Sequence, residues 1–255
     1  MEVYVAQFIV FLLLFARTTS LIVTAPIFSN QAIPAQLKIG LSIFLAFVLF
    51  PLQSSMAAHV DLRLFGIVVL VLQEVIVGMT IGFAASLIFV GVRYAGELIS
   101  FDMGFTIAST FDPETNASLP IVGEVLYLFT AMLFILLNGH HFILQALQLS
   151  YQTVPIGKMS FGPIVAEKFI TISGMMFLVA VKFAAPAIVA LFLTNVALAV
   201  LTRLIPQMNI FGVAFPLKIG VGMIVLSTSI PMLAYVFKKL LVLFENNLID
   251  LVKAL

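Results

Sequence analysis

Apolar residues run along this chain in long unbroken stretches, over residues 3–25, 39–57, 64–92, 121–149, 169–202 and 212–237. Runs of at least about 18 such residues predict transmembrane-type helices. Nearly every position in a stretch is apolar, so periodicity does not separate an inner face from an outer one. The alternating segments of about ten residues that a membrane β-barrel needs are lacking. The expected fold class is all-α: membrane-associated long helices and helical hairpins.

Two stretches have the wrong length for a simple span. At 1.5 Å per residue, residues 169–202 would make a straight helix of roughly 50 Å and residues 64–92 one of more than about 40 Å. The hydrocarbon core of a bilayer is only about 30 Å thick. Tilt absorbs part of the excess, and Pro186 is placed to break the longer stretch. Residues 169–202 are therefore compatible with two helices, with a hairpin bent at "KFAAPA", or with one helix buried against other proteins. If six spans are counted, Arg63, Lys158, Lys168, Lys238, Lys239 and Lys253 collect on one side, and Lys38, Arg93 and Arg203 on the other. This bias favours both termini in the cytoplasm.

One segment departs from the pattern. "GELISFDMGFTIASTFDPETNASLP", residues 96–120, carries Glu97, Asp102, Asp112 and Glu114 and no basic residue. Gly104 and Pro113 are expected to break helix continuity there. Met103, Phe105, Ile107 and Phe111 are spaced to form an apolar seal, with small Ala108, Ser109 and Thr110 between them. From these residues alone, an ordinary loop between helices is the default.

Composition fixes the class. Of 255 residues, 63% are hydrophobic and 9% charged, with a net charge of +1. Soluble domains carry about a quarter charged residues, so this chain belongs in a membrane or inside an assembly. The near-neutral balance gives no sign of nucleic-acid binding or of a polybasic membrane patch. There is no cysteine, which excludes disulfides, thiolate metal sites and cysteine nucleophiles. The N-terminus lacks the basic region and cleavage site of a signal peptide, so the first helix is expected to be kept.

Candidate chemistry is sparse. His140 and His141 are adjacent and point about 100° apart on a helix, which rarely lets both bind one ion. Neither a phosphate loop, a GxGxxG fingerprint nor a GxSxG elbow is present. No enzyme and no cofactor is expected. Asn116-Ala-Ser118 fits the glycosylation pattern by chance. "KIG" at 38–40 and 218–220, each flanked by prolines, is a faint echo, read as coincidence before related hairpins. Gly78 and Gly82, followed by Ser86, give one helix a small-residue stripe suited to close packing. Arg17, Glu74 and Lys182 sit among apolar neighbours, where a charge costs at least about 2.5–3.5 kcal/mol and normally has a partner. With Lys38, Glu97, Arg203 and Lys218 they are the candidate inter-helix or inter-subunit charges.

Four stretches carry a resemblance: "RTTSLIVTAPIFSNQAIPAQLKIGLSI" (17–43), "GELISFDMGFTIASTFDP" (96–113), "NGHHFILQALQLSYQTVPIG" (138–157) and "TNVALAVLTRLIPQMNIFGVAFPLKI" (194–219). In this order they resemble the FliR family of flagellar type III secretion export-gate proteins over nearly the whole chain. One departure is Asp102, where the family usually has glutamine. The resemblance implies a single copy assembled with FliP-like and FliQ-like subunits in a closed helical ring, alongside FlhB-like and FlhA-like subunits. The ring would carry unfolded flagellar substrates through the bacterial inner membrane at the flagellar basal body, much of it above the bilayer plane. Residues 1–168 would be a FliP-like part with a plug loop at 103–120, and 169–255 a FliQ-like hairpin (185–219) and tail. Met103, Gly104, Phe105, Ile107, Phe111, Asp112 and Pro113 would then form the plug that closes the pore at rest. The alternative from another class is a secondary transporter for a small solute or ion, supported by the broken spans and buried charges. A third reading is a membrane scaffold with the acidic segment as a docking loop.

Overall fold

The computed structural model describes residues 2–53, 64–105, 121–160, 162–207 and 210–255. Every regular element among them is an α-helix. In chain order these are α1 (Glu2–Thr24), α2 (Ala35–Gln53), α3 (Leu64–Met103), α4 (Ile121–Leu136), α5 (Gly139–Thr153), α6 (Pro163–Leu204) and α7 (Ile210–Ala254). The all-α expectation is met.

Several expected boundaries are corrected. The stretch expected to end at residue 92 continues to Met103, so residues 96–103 of the acidic segment are helical. Two of their apolar residues, Ile99 and Met103, are fully buried, while Phe101 stays exposed. Helix α3 ends where Gly104 takes φ 91°, a left-handed conformation that costs glycine little and other residues more. Residues 121–149 form two helices and not one. The break is at Asn138, with φ 61° and ψ 24°, a conformation asparagine tolerates better than most residues. Residues 169–202 lie within one continuous helix, α6, which runs through Pro186. The last helix extends well past residue 237, to Ala254, and passes both Pro216 and Pro231. Proline removes one backbone donor, but long apolar helices tolerate it when neighbouring groups compensate.

The six-span count is also revised. Four of the described helices are long and apolar enough to cross a membrane, or five if the broken pair α4 and α5 makes one span. The apolar part of α2, Ala35–Pro51, is shorter. The charge tally that placed both termini in the cytoplasm assumed six spans and loses its basis.

The chain packs as two compact units, each assembled from separated segments. The first takes residues 1–87, 138–173 and 243–255; the second takes 88–137 and 174–242. The long helices α3, α6 and α7 contribute residues to both. This division follows packing, and differs from the split at 168/169, which rests on resemblance to smaller subunits. The core of the first unit includes Leu13, Leu14, Leu21, Ile81, Leu147 and Leu251; that of the second includes Phe89, Val92, Ile99, Phe183, Leu191 and Phe237.

Candidate functional site

In the first unit, Gly78 and Gly82 bring α3 against α1. A Cβ at Gly78 would strike the Ser20 hydroxyl and the Arg17 carbonyl; one at Gly82 would strike the Thr24 hydroxyl and the Leu21 carbonyl. Without side chains at these two positions the backbones approach closely enough for Arg17, on α1, to reach Glu74, one turn before Gly78. Arg17 Nε donates to Glu74 Oε2 at 2.6 Å, and Nη2 donates to Oε1 at 3.1 Å. The pair is bidentate, and the two side chains are 0% and 1% exposed.

Burial of this kind is costly unless every donor is met. Arg17 meets the requirement with backbone as well as with Glu74. Its Nη1 donates to the Ser150 carbonyl at 3.0 Å and the Ser150 hydroxyl at 3.3 Å. Its Nη2 donates to the Val154 carbonyl at 3.1 Å. These contacts engage the guanidinium's full set of N–H groups. Ser150 lies in the last turn of α5, where its carbonyl also accepts the Val154 N–H at 2.9 Å, and Val154 is the residue that follows the helix; a helix C-terminus favours a cation. Arg17 therefore caps α5 from another helix. The Arg17 guanidinium also lies over the Tyr151 ring, 4.4 Å from its centroid. The Tyr151 hydroxyl donates to the Leu14 carbonyl at 3.0 Å, returning the link to α1. Glu74 Oε1 accepts a further bond from the Gly157 N–H at 3.2 Å. Gly157 has φ 75°, which turns its N–H toward the carboxylate at low cost.

The sequence marked Arg17 and Glu74 as buried charges in need of partners, and the structure pairs them with each other. It missed Ser150, Tyr151, Val154 and Gly157: the Val154 and Ser150 carbonyls and the Gly157 N–H give no signal in residue type, and the Ser150 and Tyr151 side chains are of ordinary kinds on an apolar helix. Lys182 is not part of this cluster; it lies exposed on α6. Glu97 and Arg203 are also exposed, and Lys218 is half-buried. None of these four has an ion-pair partner among the described residues. Lys38 serves a local turn, its Nζ donating to the Asn30 carbonyl at 2.9 Å.

The second unit holds the near end of the acidic segment. Met103, the last residue of α3, is fully buried. Its side chain fills the space over Gly222 on α7, where a Cβ would strike the methionine methyl. Phe215, also on α7, covers Gly104. Met103 and Gly104 are thus engaged inside the chain, and Phe105 is half-buried. Ile107, Phe111, Asp112 and Pro113 lie outside the described residues. Further along, α3 meets α4 backbone to backbone, since a Cβ at Gly96 would strike Gly123. Arg93 lies over the Tyr127 ring at 4.0 Å and pairs with Glu124 at 3.4 Å, both charged groups about half exposed.

No group of three or more His, Asp or Glu side chains comes together among the described residues. The His140 and His141 rings lie 4.2 Å apart, centroid to centroid.

Comparison with known proteins adds the family context. Residues 8–243 match the model for bacterial export proteins, family 1. The flagellar biosynthetic protein FliR of Bacillus subtilis (strain 168) is 33% identical over 224 residues, covering 85% of this chain and 84% of the relative. Its counterpart from Escherichia coli (strain K12) is 31% identical over 242 residues, covering 94% and 91%. That of Aquifex aeolicus (strain VF5) is 29% identical over 228 residues, covering 89% and 88%.

Proposed function

Since the chain belongs to the bacterial export proteins, family 1, we propose that it is a non-enzymatic wall subunit of the flagellar type III export gate. In this reading it lines a channel for unfolded substrates, together with FliP-like and FliQ-like subunits and next to FlhB-like and FlhA-like ones. The bacterial inner membrane at the flagellar basal body is its site of action.

The observation that carries the reading is the length of three helices. Helices α3, α6 and α7 have 40, 42 and 45 residues, or roughly 60–68 Å. That is about twice the hydrocarbon thickness of a bilayer. Large apolar side chains stay exposed along them, among them Phe101, Phe177, Phe192, Leu204, Met223 and Tyr235. Exposed apolar area on this scale marks an interaction surface, and rods longer than the lipid is thick support burial against other subunits. Glu97, Lys182, Arg203 and Lys218 find their partners across those contacts. Arg17 and Glu74 serve the fold of the chain itself.

The segment from Met103 onward closes the channel at rest. Met103 and Gly104 anchor its near end on α7, and Phe105, Ile107, Phe111, Asp112 and Pro113 supply the plug. An apolar constriction excludes ions by dewetting. The test is a tagged chain purified from membranes, intact and with residues 104–112 deleted. Both forms are expected to bring down the FliP-like and FliQ-like subunits, and the deleted form to conduct ions in planar bilayers. Unchanged conductance in an intact complex removes the plug. A lone chain that binds a small solute favours a secondary transporter.

A further inference from the structure

Helix α5 differs from the other long faces of the molecule. One side of it is buried through Ile143, Ala146, Leu147 and Tyr151. The other side exposes Gln145, Gln148 and Gln152. These glutamines line a groove of about 270 Å³ whose apolar parts come from Phe142, Leu149 and Ile249. No charged residue lines it.

A row of free amides does not belong against lipid, where each would lose its hydrogen bonds to water without replacement. This face therefore meets water or polar protein. A glutamine amide offers one acceptor and two donors, the same chemistry as a peptide group. A helix docked here would have its own peptide groups already bonded internally and could meet the row only through its side chains. An extended chain presents its peptide groups to whatever lies beside it. Gln145 to Gln152 covers seven steps, about 10 Å along the axis, which matches about three residues of extended chain. Phe142, Leu149 and Ile249 lie between the amides as shallow apolar seats for side chains.

We propose that this groove holds a short stretch of extended polypeptide in transit, bonding to its backbone and remaining indifferent to its sequence. The inference rests on the export reading above and adds a place where the substrate touches this chain. Neutrality is part of the mechanism. A fixed charge would retain segments of opposite sign and repel those of like sign, whereas an exported chain carries both.

The experiment uses the assembled gate and an export substrate fused to a tightly folded domain, so that its unfolded part stalls in the channel. A photo-crosslinking amino acid replaces Gln145, Gln148 or Gln152, with Ile224 on α7 as the comparison position. Cross-links to the stalled chain from the three glutamine positions and none from Ile224 are expected. Cross-links only to another gate subunit, or none from the glutamines while the stalled chain still co-purifies, overturn the groove alone. Failure of the stalled chain to co-purify takes down the export reading and the groove with it. In a second measurement, Gln148→Glu and Gln148→Lys are compared on substrates with acidic and basic unfolded segments. Export rates are expected to diverge with opposite sign by about fivefold, the scale of one unit-charge contact in water. Equal rates in all four combinations count against a groove that touches the substrate.

Discussion

The first unit locks α1, α3 and α5 together with a buried guanidinium and carboxylate. The second unit has no buried charge among its described residues. There the helices meet without such a pair, through close backbone approach of the kind Gly78 and Gly82 also give the first unit: Gly96 on Gly123 and Gly91 on the Met176 carbonyl. An aromatic cluster completes its packing. Phe89 meets Tyr127, Phe134 and Phe237 edge-on, with ring centroids 5.3–6.5 Å apart. Each unit leaves some buried polar atoms unpaired: in the first, Thr19 Oγ1, Gln73 Oε1 and His140 Nδ1 have no hydrogen-bond partner. In the second, the buried Ser100 and Thr130 hydroxyls have no hydrogen-bond partner.

The contrast shows two ways to make helices choose one another when nearly all their surface is apolar. Apolar contact alone is weakly selective, since one oily face fits another about as well as a third. Directional bonds select a register, because a guanidinium shifted by one turn loses all its acceptors. Steric fit selects it too, but less steeply, because side chains relax around a small misfit. The unit held by charge is therefore suited to stay fixed. The other, which holds Met103 against Gly222, depends on shape.

Substitutions can break this comparison, and Glu74→Ala is expected to act most strongly. It strands Arg17 as an uncompensated buried charge, a loss of about 3–5 kcal/mol. Folded chain recovered from membranes should fall steeply. The double change Arg17→Met with Glu74→Leu should restore most of the yield, since apolar replacement of a buried pair is often close to neutral. Equal loss in the double variant would mean that the bonds to the Ser150 and Val154 carbonyls and to the Gly157 N–H outweigh the attraction between the two charges.

Gly96→Leu tests the second unit. It forces a side chain into the contact with Gly123 and is expected to destabilise by about 1–3 kcal/mol through overpacking. Thermal denaturation of the purified complex would show this as a lower midpoint. A loss as large as that of Glu74→Ala would erase the distinction between selection by charge and by shape.

The smallest effect is expected from Arg93→Ala. Its contacts with Glu124 and Tyr127 are half exposed, and exposed pairs of this kind contribute about 0.2–1 kcal/mol. The denaturation midpoint should barely move. A large drop would show that this arginine is buried when the chain is assembled with partner subunits.

Much of the architecture was legible in the residues. The long apolar runs announced helices, and the scarcity of charge announced a membrane or an assembly. The GxxxG spacing at Gly78 and Gly82 announced close contact, which α1 supplies. Arg17 and Glu74 stood out because charge among apolar neighbours demands compensation. Helix ends were harder to read. Residues 96–103 looked like loop because of Glu97 and Asp102, yet Ile99 and Met103 continue the buried stripe of α3. Residues 121–149 looked like one span because the break depends on the backbone of Asn138, and hydropathy carries no information about φ.

The sequence by itself determined the class of the molecule and which charges had to be neutralised, because both follow from the cost of placing each residue type in an apolar medium. It also placed the chain among export proteins, through four stretches in order. Only the tertiary structure decided how the neutralisation is done, since beside Glu74 the Arg17 guanidinium relies on the Ser150 and Val154 carbonyls, groups that every residue possesses. The same holds for Met103, whose place over Gly222 depends on two helices meeting at one register. Helix continuity through Pro186, Pro216 and Pro231 belongs there as well, because a missing donor breaks a helix only where nothing nearby replaces it.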